Sequence, residues 1–192
     1  MNDIVDVAWR VARALERVGV PYYLGGSVAS SLQATARSTN DVDFVVELRP
    51  EQVAGLAAEL GGEFAVDQES LADAARRQSS WNLFHLPTGL KIDLMMRKDT
   101  PYDREAFSRR RRFRVDVDVD PFVKSVEDSV LKKLQWFNDG GKVSSTQWRD
   151  VVELLRVNRG RLDEAYLDRW ATELRVVDEL RRARDEAVHP KP

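Results

Sequence analysis

The stretch Asp41-Val42-Asp43-Phe44-Val45-Val46 decides the fold of this chain. Its apolar members are strong strand formers that want burial, so the run predicts a β-strand. Two acids interrupt it at alternate positions. Residues two apart in a strand point to the same face, so Asp41 and Asp43 stand side by side. Like charges on a largely apolar sheet repel one another and are costly to desolvate. A divalent cation removes that cost. Lys91-Ile92-Asp93-Leu94-Met95-Met96 repeats the anomaly, an apolar strand with one acid inside it. If the two strands are neighbours, three carboxylates converge. Such an oxygen-only set suits Mg²⁺ or Mn²⁺, which draw their remaining ligands from water and substrate phosphates. The competing reading is a solvated strand face, with Asp93 in an unrelated salt bridge. Asp116-Val117-Asp118-Val119-Asp120 shows the same alternation and reads as such an exposed face, so the pattern alone carries little information.

The segment upstream adds what the acids lack. Leu24-Gly25-Gly26-Ser27 reads as a strand end, a glycine turn and a helix start. A junction of this kind aims backbone N–H groups and the positive helix end at an anion. Glycine lets a phosphate approach the backbone closely. Ser27 suits both a helix cap and a phosphate oxygen. Taken alone, the same turn reads equally as plain structure.

Outward from this centre, Ile4, Val7, Val11, Leu15 and Val18 make residues 3–18 an amphipathic helix. Tyr22–Leu24 reads as a strand, Ser27–Leu32 as helix and Arg37–Asn40 as a polar loop. Pro50 opens a helix that Gly61-Gly62 ends. Trp81–Leu86 and Leu90–Met96 form a hairpin across Pro87-Thr88-Gly89. A short helix follows near Asp103–Phe107, then a strand over 113–119 closed by Pro121. From Ser125 the pattern turns helical: Ser125 and Asp128 form a capping box ahead of Val126–Phe137. A second helix covers 145–158 with Gly160 as its C-cap. One long helix or two shorter ones fill 162–187, and the tail past His189 frays. The chain therefore divides into a mixed part, 1–124, and a helical part, 125–192, packed together.

Composition narrows the chemistry. The 192 residues are 43% hydrophobic, enough for a proper core, and 30 basic side chains balance 32 acidic ones. That excludes a globally basic nucleic-acid coat protein but not a local basic site. With no cysteine and two histidines, disulfides, thiolate catalysis, iron–sulfur clusters and multi-histidine metal sites are excluded. No apolar run approaches the ~18 residues of a membrane span. The acidic N-terminus does not read as a signal peptide, so a cytoplasmic location is expected.

Gly26-Ser27, thirteen intervening residues, Asp41-Val42-Asp43 before an apolar strand, and the lone Asp93 downstream resemble the DNA polymerase β-type nucleotidyltransferase superfamily. Leu24-Gly25-Gly26-Ser27-Val28-Ala29-Ser30 with Arg37-Ser38-Thr39-Asn40-Asp41-Val42-Asp43-Phe44 is most similar to its small bacterial branch containing the AbiEii/MenT-type toxins. Val126-Glu127-Asp128-Ser129-Val130-Leu131-Lys132-Lys133-Leu134, followed by Arg149-Asp150, resembles the helical region of that branch. The likeness spans roughly residues 20–155. It implies an α+β fold, with a mixed β-sheet nucleotidyltransferase core flanked by helices and a C-terminal helical bundle. It also implies transfer of a nucleoside monophosphate from an NTP to a hydroxyl, releasing pyrophosphate, with two Mg²⁺ or Mn²⁺ ions during turnover.

By the same resemblance Asp41 and Asp43 hold the metal on the triphosphate, with Gly25, Gly26 and Ser27 on the terminal phosphates. All three acids hold the second metal, and Asp93 serves as general base. Lys133 is similar to the family's lysine that reaches the triphosphate, although the residue before it is Lys132, which leaves both in play. The other reading of Lys133 is a solvated helix charge. Arg37 either assists the phosphates or pairs with an acid.

The acceptor is read from charge. Residues 97–114 hold eight basic and three acidic side chains, a local +5. Arg109, Arg110, Arg111 and Arg112 lie at its centre. Arginine clusters bind phosphate backbones, which favours RNA, and the resemblance points to the 3′ end of tRNA and to a toxin with an antitoxin partner. Against this, residues 115–128 carry a local −4 that could neutralise the run. The alternatives are a small-molecule, aminoglycoside-like nucleotidyltransferase and a non-catalytic nucleotide-binding protein. His85 reads as a hydrogen-bonded sheet residue, and Trp136, Trp148 and Trp170 as core.

Overall fold

The structure is a computed structural model, and it describes residues 3–35, 41–115 and 120–189. The chain divides into two compact units, Met1–Val28 with Ser38–Lys124, and Ala29–Arg37 with Ser125–Pro192. The fold is α+β.

In the first unit, α1 (Asp3–Arg17) leads into β1 (Tyr22–Leu24), and α2 (Gly26–Gln33) begins directly after the glycine turn. The acid-bearing run is β2 (Asp41–Val46). A 3₁₀ turn at Pro50–Gln52 precedes α3 (Val53–Leu60). Then come β3 (Phe64–Ala65), α4 (Gln68–Arg77), β4 (Ser80–His85), β5 (Leu90–Met96), α5 (Pro101–Ser108), β6 (Arg111–Arg112) and β7 (Phe122–Val123). Among the described residues the seven strands form one mixed sheet in the order β3-β4-β5-β2-β1-β7-β6. β2 runs parallel to β5 and antiparallel to β1. Alternation sorts β2 and β5 into two faces. Val42, Phe44, Val46, Ile92, Leu94 and Met96 are buried, together with Leu15, Leu56 and Leu71 of the helices. Asp41, Asp43, Lys91 and Asp93 lie on the opposite, partly open face.

The second unit is helical: α6 (Val126–Asp139), α7 (Ser145–Val157), α8 (Glu164–Glu173) and α9 (Val177–Val188), joined by the end of α2. Ser125 caps α6 as its sequence predicts, its oxygen accepting from the Asp128 N–H. Leu131, Leu134, Val151, Leu154, Leu167 and Leu180 form the core. The α2 end is tied in where Ser129 Oγ donates to Gln33 Oε1 at 2.7 Å and Asn158 Nδ2 donates to the Gln33 carbonyl at 3.0 Å.

Two expectations change. Of the strand expected over 113–119, residues 113–115 lie outside any strand although the Phe113 N–H donates to the Pro121 carbonyl at 2.9 Å, and the pairing seen is that of Arg111–Arg112 with Phe122–Val123. Residues 116–119, with Asp116 and Asp118, lie outside the described residues, as do Arg37–Asn40 and the tail beyond His189. The α7 C-cap is Asn158, and Gly160 instead serves a later turn with φ of 77°. Of the two readings left open for 162–187 the structure has the second, two helices, broken at Arg175, whose φ is +59°. The sequence reading also passed over α4, whose polar face is broad. Asp67 caps it by accepting from the Glu69 and Ser70 N–H groups. Among the described residues no helix is long and apolar enough to cross a membrane.

Candidate active site

Register brings the predicted acids together. β2 and β5 pair Asp41 with Lys91 and Asp43 with Asp93. Partners in a parallel ladder project to the same side, about 4.8 Å apart at the backbone, so Asp41, Asp43 and Asp93 share one face. The strands can hold acids here because the buried side of each is carried wholly by the even-numbered apolar residues.

The glycine turn docks onto this face. The Gly25 N–H donates to the Asp43 carbonyl at 2.8 Å. Gly26 has φ of +56°, and a Cβ built on it would stand 1.7 Å from Asp43 Oδ2 and 2.6 Å from Asp43 Cγ. Only glycine allows both that backbone angle and that approach. α2 starts here, so its first amides and its positive end lie beside the Asp43 carboxylate. Ser27 is half-buried on the first turn.

The three carboxylates do not close on one another. Among the described residues no group of three or more Asp, Glu, His or Cys side chains stands in metal-holding geometry. The expected convergence is thus one of face and register. Three like charges on one face repel one another, and Lys91 stands among them. Its Nζ lies 3.0 Å from Asp93 Oδ2. The bonded Asp93 carboxylate holds the Lys91 ammonium above its ordinary range, and the fields of Asp41 and Asp43 add to the effect. Asp93 Oδ1 is buried with no hydrogen-bond partner among the described residues. An all-oxygen donor set on one face and a buried carboxylate oxygen without a hydrogen bond among the described residues fit a hard divalent cation in the chemistry of the donors, while their present spacing is wider than a bound ion needs.

Two further lysines matter. Lys124, 7% exposed, follows β7. Its Nζ lies 5.7 Å from the Tyr23 ring centroid, and its Cε 3.8 Å from a Cβ built on Gly25. The sequence reading missed both Lys91 and Lys124. The available signals were a base two residues from a buried acid, and a lysine directly before a helix cap. Lys133, by contrast, lies inside the helical unit. It is 2% exposed, with Nζ 2.8 Å from Asp150 Oδ2 and 3.2 Å from Gln147 Oε1. It is not a solvated helix charge. Lys132 is half-buried, and its Nζ donates to Gln135.

Packing absorbs much of the arginine run. Arg110 stacks over Phe107 at 4.4 Å and Phe122 at 5.2 Å, and donates to the Phe107 carbonyl. Arg112 stacks over Phe122 at 4.4 Å and donates to the Asp120 carbonyl at 2.6 Å. Arg109 is half-buried, whereas Arg111 is exposed on the edge strand. His85 is buried in β4, as expected of a sheet residue, with Nδ1 2.7 Å from Thr88 Oγ1.

Neither a protein-family model nor a curated protein sequence matches the chain. Solved structures do match it. The solution structure of the antibiotic-resistance factor ANT(2″)-Ia is similar with a TM-score of 0.55 at 15% identity, over 98% of both chains. An antigenic nucleotidyltransferase-like protein from Paracoccidioides brasiliensis gives 0.55 at 17% identity, covering 99% of this chain and 98% of that one. ANT(2″)-Ia in complex with adenylyl-2″-tobramycin gives 0.55 at 14% identity, over 91% and 98%. Identity this low speaks for architecture alone, and the architecture is the nucleotidyltransferase fold.

Proposed function

We propose that this chain is a metal-dependent nucleotidyltransferase that moves a nucleoside monophosphate from an NTP to a hydroxyl acceptor and releases pyrophosphate. One observation carries the reading: Asp43 and Asp93 are register partners on the face where the Gly26 turn packs directly against the Asp43 carboxylate. Asp41 and Asp43 would hold the metal that accompanies the triphosphate, and Asp93 would join them around a second. Mg²⁺ or Mn²⁺ held there would supply charge neutralisation for the triphosphate and a more acidic acceptor hydroxyl. The Gly26 amide and Ser27 hold the terminal phosphates at the positive end of α2, with Gly25 shaping the turn through its N–H bond to the Asp43 carbonyl. Asp93 takes the acceptor proton. Lys133 and Arg37 remain proposed triphosphate contacts on the family resemblance.

For the acceptor we propose RNA, with the 3′ end of tRNA as the first candidate. The local +5 of residues 97–114 and the likeness to the AbiEii/MenT branch support this. The same likeness supports a cytoplasmic toxin role with an antitoxin partner. A second reading, a small-molecule acceptor, is favoured by similarity to ANT(2″)-Ia over 98% of both chains.

Each labelled NTP, incubated with Mg²⁺ and total tRNA or an aminoglycoside panel, tests both. The wild-type chain is expected to label RNA. Asp41→Ala and Asp43→Ala are expected to abolish transfer while the protein stays folded, with an unchanged or raised melting temperature because a repulsion is gone. Wild-type transfer by either variant refutes the mechanism. Labelled aminoglycoside with unlabelled RNA selects the second reading.

A further inference from the structure

We infer that Lys91 is a built-in counter-cation of the carboxylate face, which holds Asp93 in place before a metal arrives and must give way for a metal to bind Asp43 and Asp93 together. The inference rests on the proposed nucleotidyl transfer and adds a control on its metal site.

The argument begins with the ladder. Asp41, Asp43 and Asp93 place three negative charges on one face of two adjacent strands, and the one base within this set is Lys91, opposite Asp41 and two residues before Asp93. Its ammonium lies 3.0 Å from Asp93 Oδ2. The other Asp93 oxygen, Oδ1, is buried and has no hydrogen-bond partner among the described residues. The oxygen facing outward is therefore held by the lysine, and a metal shared with Asp43 competes with that ammonium for the carboxylate. The Lys91 side chain is 40% exposed and Asp93 23% exposed. A flexible four-carbon stem with that exposure has water to retreat into, which a fully buried lysine lacks.

Charge decides what the pairing does. An ammonium beside Asp93 repels a divalent ion at the same carboxylate, so the lysine lowers the affinity of the metal-only state. The triphosphate of an NTP adds negative charge and tips the balance back. Lys91 thus favours loading of Asp93 with nucleotide present over loading by free metal alone. It is a positioning residue, acting on the reaction only through Asp93.

The test is Mn²⁺ binding to the whole chain, followed by calorimetry and by the Mn²⁺ electron paramagnetic signal, with no nucleotide and no turnover. Lys91→Met is expected to tighten Mn²⁺ roughly tenfold, the order set by one charge removed near a partly solvated divalent site. The melting temperature of its metal-free form is expected to fall, and added Mn²⁺ to restore it. Lys91→Arg keeps the charge and is expected to bind Mn²⁺ as the wild type does. It also remains informative if the methionine variant folds poorly, because tightening in the arginine variant counts against a charge effect. Unchanged or weakened Mn²⁺ binding in a folded Lys91→Met overturns the inference and leaves the proposed function standing. Wild-type Mn²⁺ binding that survives Asp43→Ala overturns the proposed site itself, and this inference with it.

Discussion

Replacing Gly26 by alanine separates two costs that are usually confounded. The backbone there has φ of +56°, where an L-side chain costs about 1–2 kcal/mol. Stiffening the unfolded chain returns about 0.4–1 kcal/mol of that. The new methyl would stand 1.7 Å from Asp43 Oδ2, 2.6 Å from Cγ and 3.1 Å from Cβ. Ordinary non-bonded contact needs about 3.5–4 Å, so the carboxylate has to retreat by roughly 2 Å. Gly19 supplies the control. Its φ is +68°, and nothing lies within 4 Å of a Cβ built on it. Gly19→Ala therefore carries the strain without the collision. Each variant is expected to lose about 1 kcal/mol, or about 2–4 °C in melting temperature for a chain of this size, with Gly26→Ala losing more. Turnover should separate them. A misplacement of ~1 Å at a reacting group can cost ~10²-fold, so kcat/KM for Gly26→Ala should fall by at least about that factor. Gly19→Ala should stay within about threefold of wild type, since it touches no group of the site. Calorimetric melting and single-turnover NTP assays on the same preparations provide both readings. Full activity in Gly26→Ala, or an equal loss in Gly19→Ala, refutes the claim that Gly26 exists to admit the Asp43 carboxylate.

Two other predictions concern stability. Lys133→Met leaves Asp150, 8% exposed, without its ammonium partner 2.8 Å away. Breaking a buried pair from one side costs about 3–5 kcal/mol, so denaturant melts should show a loss of that order, and Lys133→Met with Asp150→Leu should recover much of it. A loss under about 1 kcal/mol in the single variant would place the pair in water instead. His85 titrates below its ordinary value of 6.5, chiefly through burial, with Arg10 lowering it further and Glu63 opposing. The unfolded chain therefore takes up its proton first. The stabilisation is complete above about pH 6.5 and is lost as pH falls through the folded value. Melting temperature should drop on acidification across that window, and His85→Gln should flatten the slope. An identical slope in the variant removes His85 as the cause.

Much of this site was legible because strands make a simple promise. A period of two fixes which residues share a face, and Asp41, Asp43 and Asp93 could be placed on theirs before any coordinates. What could not be read was each acid's neighbour on the adjacent strand. Lys91 lies two residues from Asp93 on the same strand, so that pairing was open to the same reasoning, whereas its place opposite Asp41 depends on β2 and β5 being parallel and in register, a fact of tertiary pairing. The weight of Gly26 is similar: the sequence shows a glycine, and only the docked Asp43 carboxylate shows why alanine fails. Lys133 inverts the lesson. Its helical periodicity allows a solvated charge, whereas the partner seventeen residues later lies on another helix, and that partner decides the burial.

The arginine run shows where charge counting stops being a guide to binding. A local +5 reads as a phosphate-binding surface only if the charges face outward. Here guanidinium planes find aromatic faces first: Arg110 lies between Phe107 and Phe122, and Arg112 covers the latter. Such stacking contributes about 0.5–2 kcal/mol per contact, so neutralising these two residues perturbs folding before it reports on any acceptor. Arg111 and Arg112 are both exposed on the edge strand β6, but among the described residues Arg112 is stacked on an aromatic ring and Arg111 is not. A charge at that place also keeps the sheet edge from pairing with another chain. The acceptor proposal is therefore best tested at Arg111. A substitution there that left RNA labelling and its salt dependence unchanged would transfer the burden to the small-molecule reading, while the same result at Arg110 or Arg112 would say little about either.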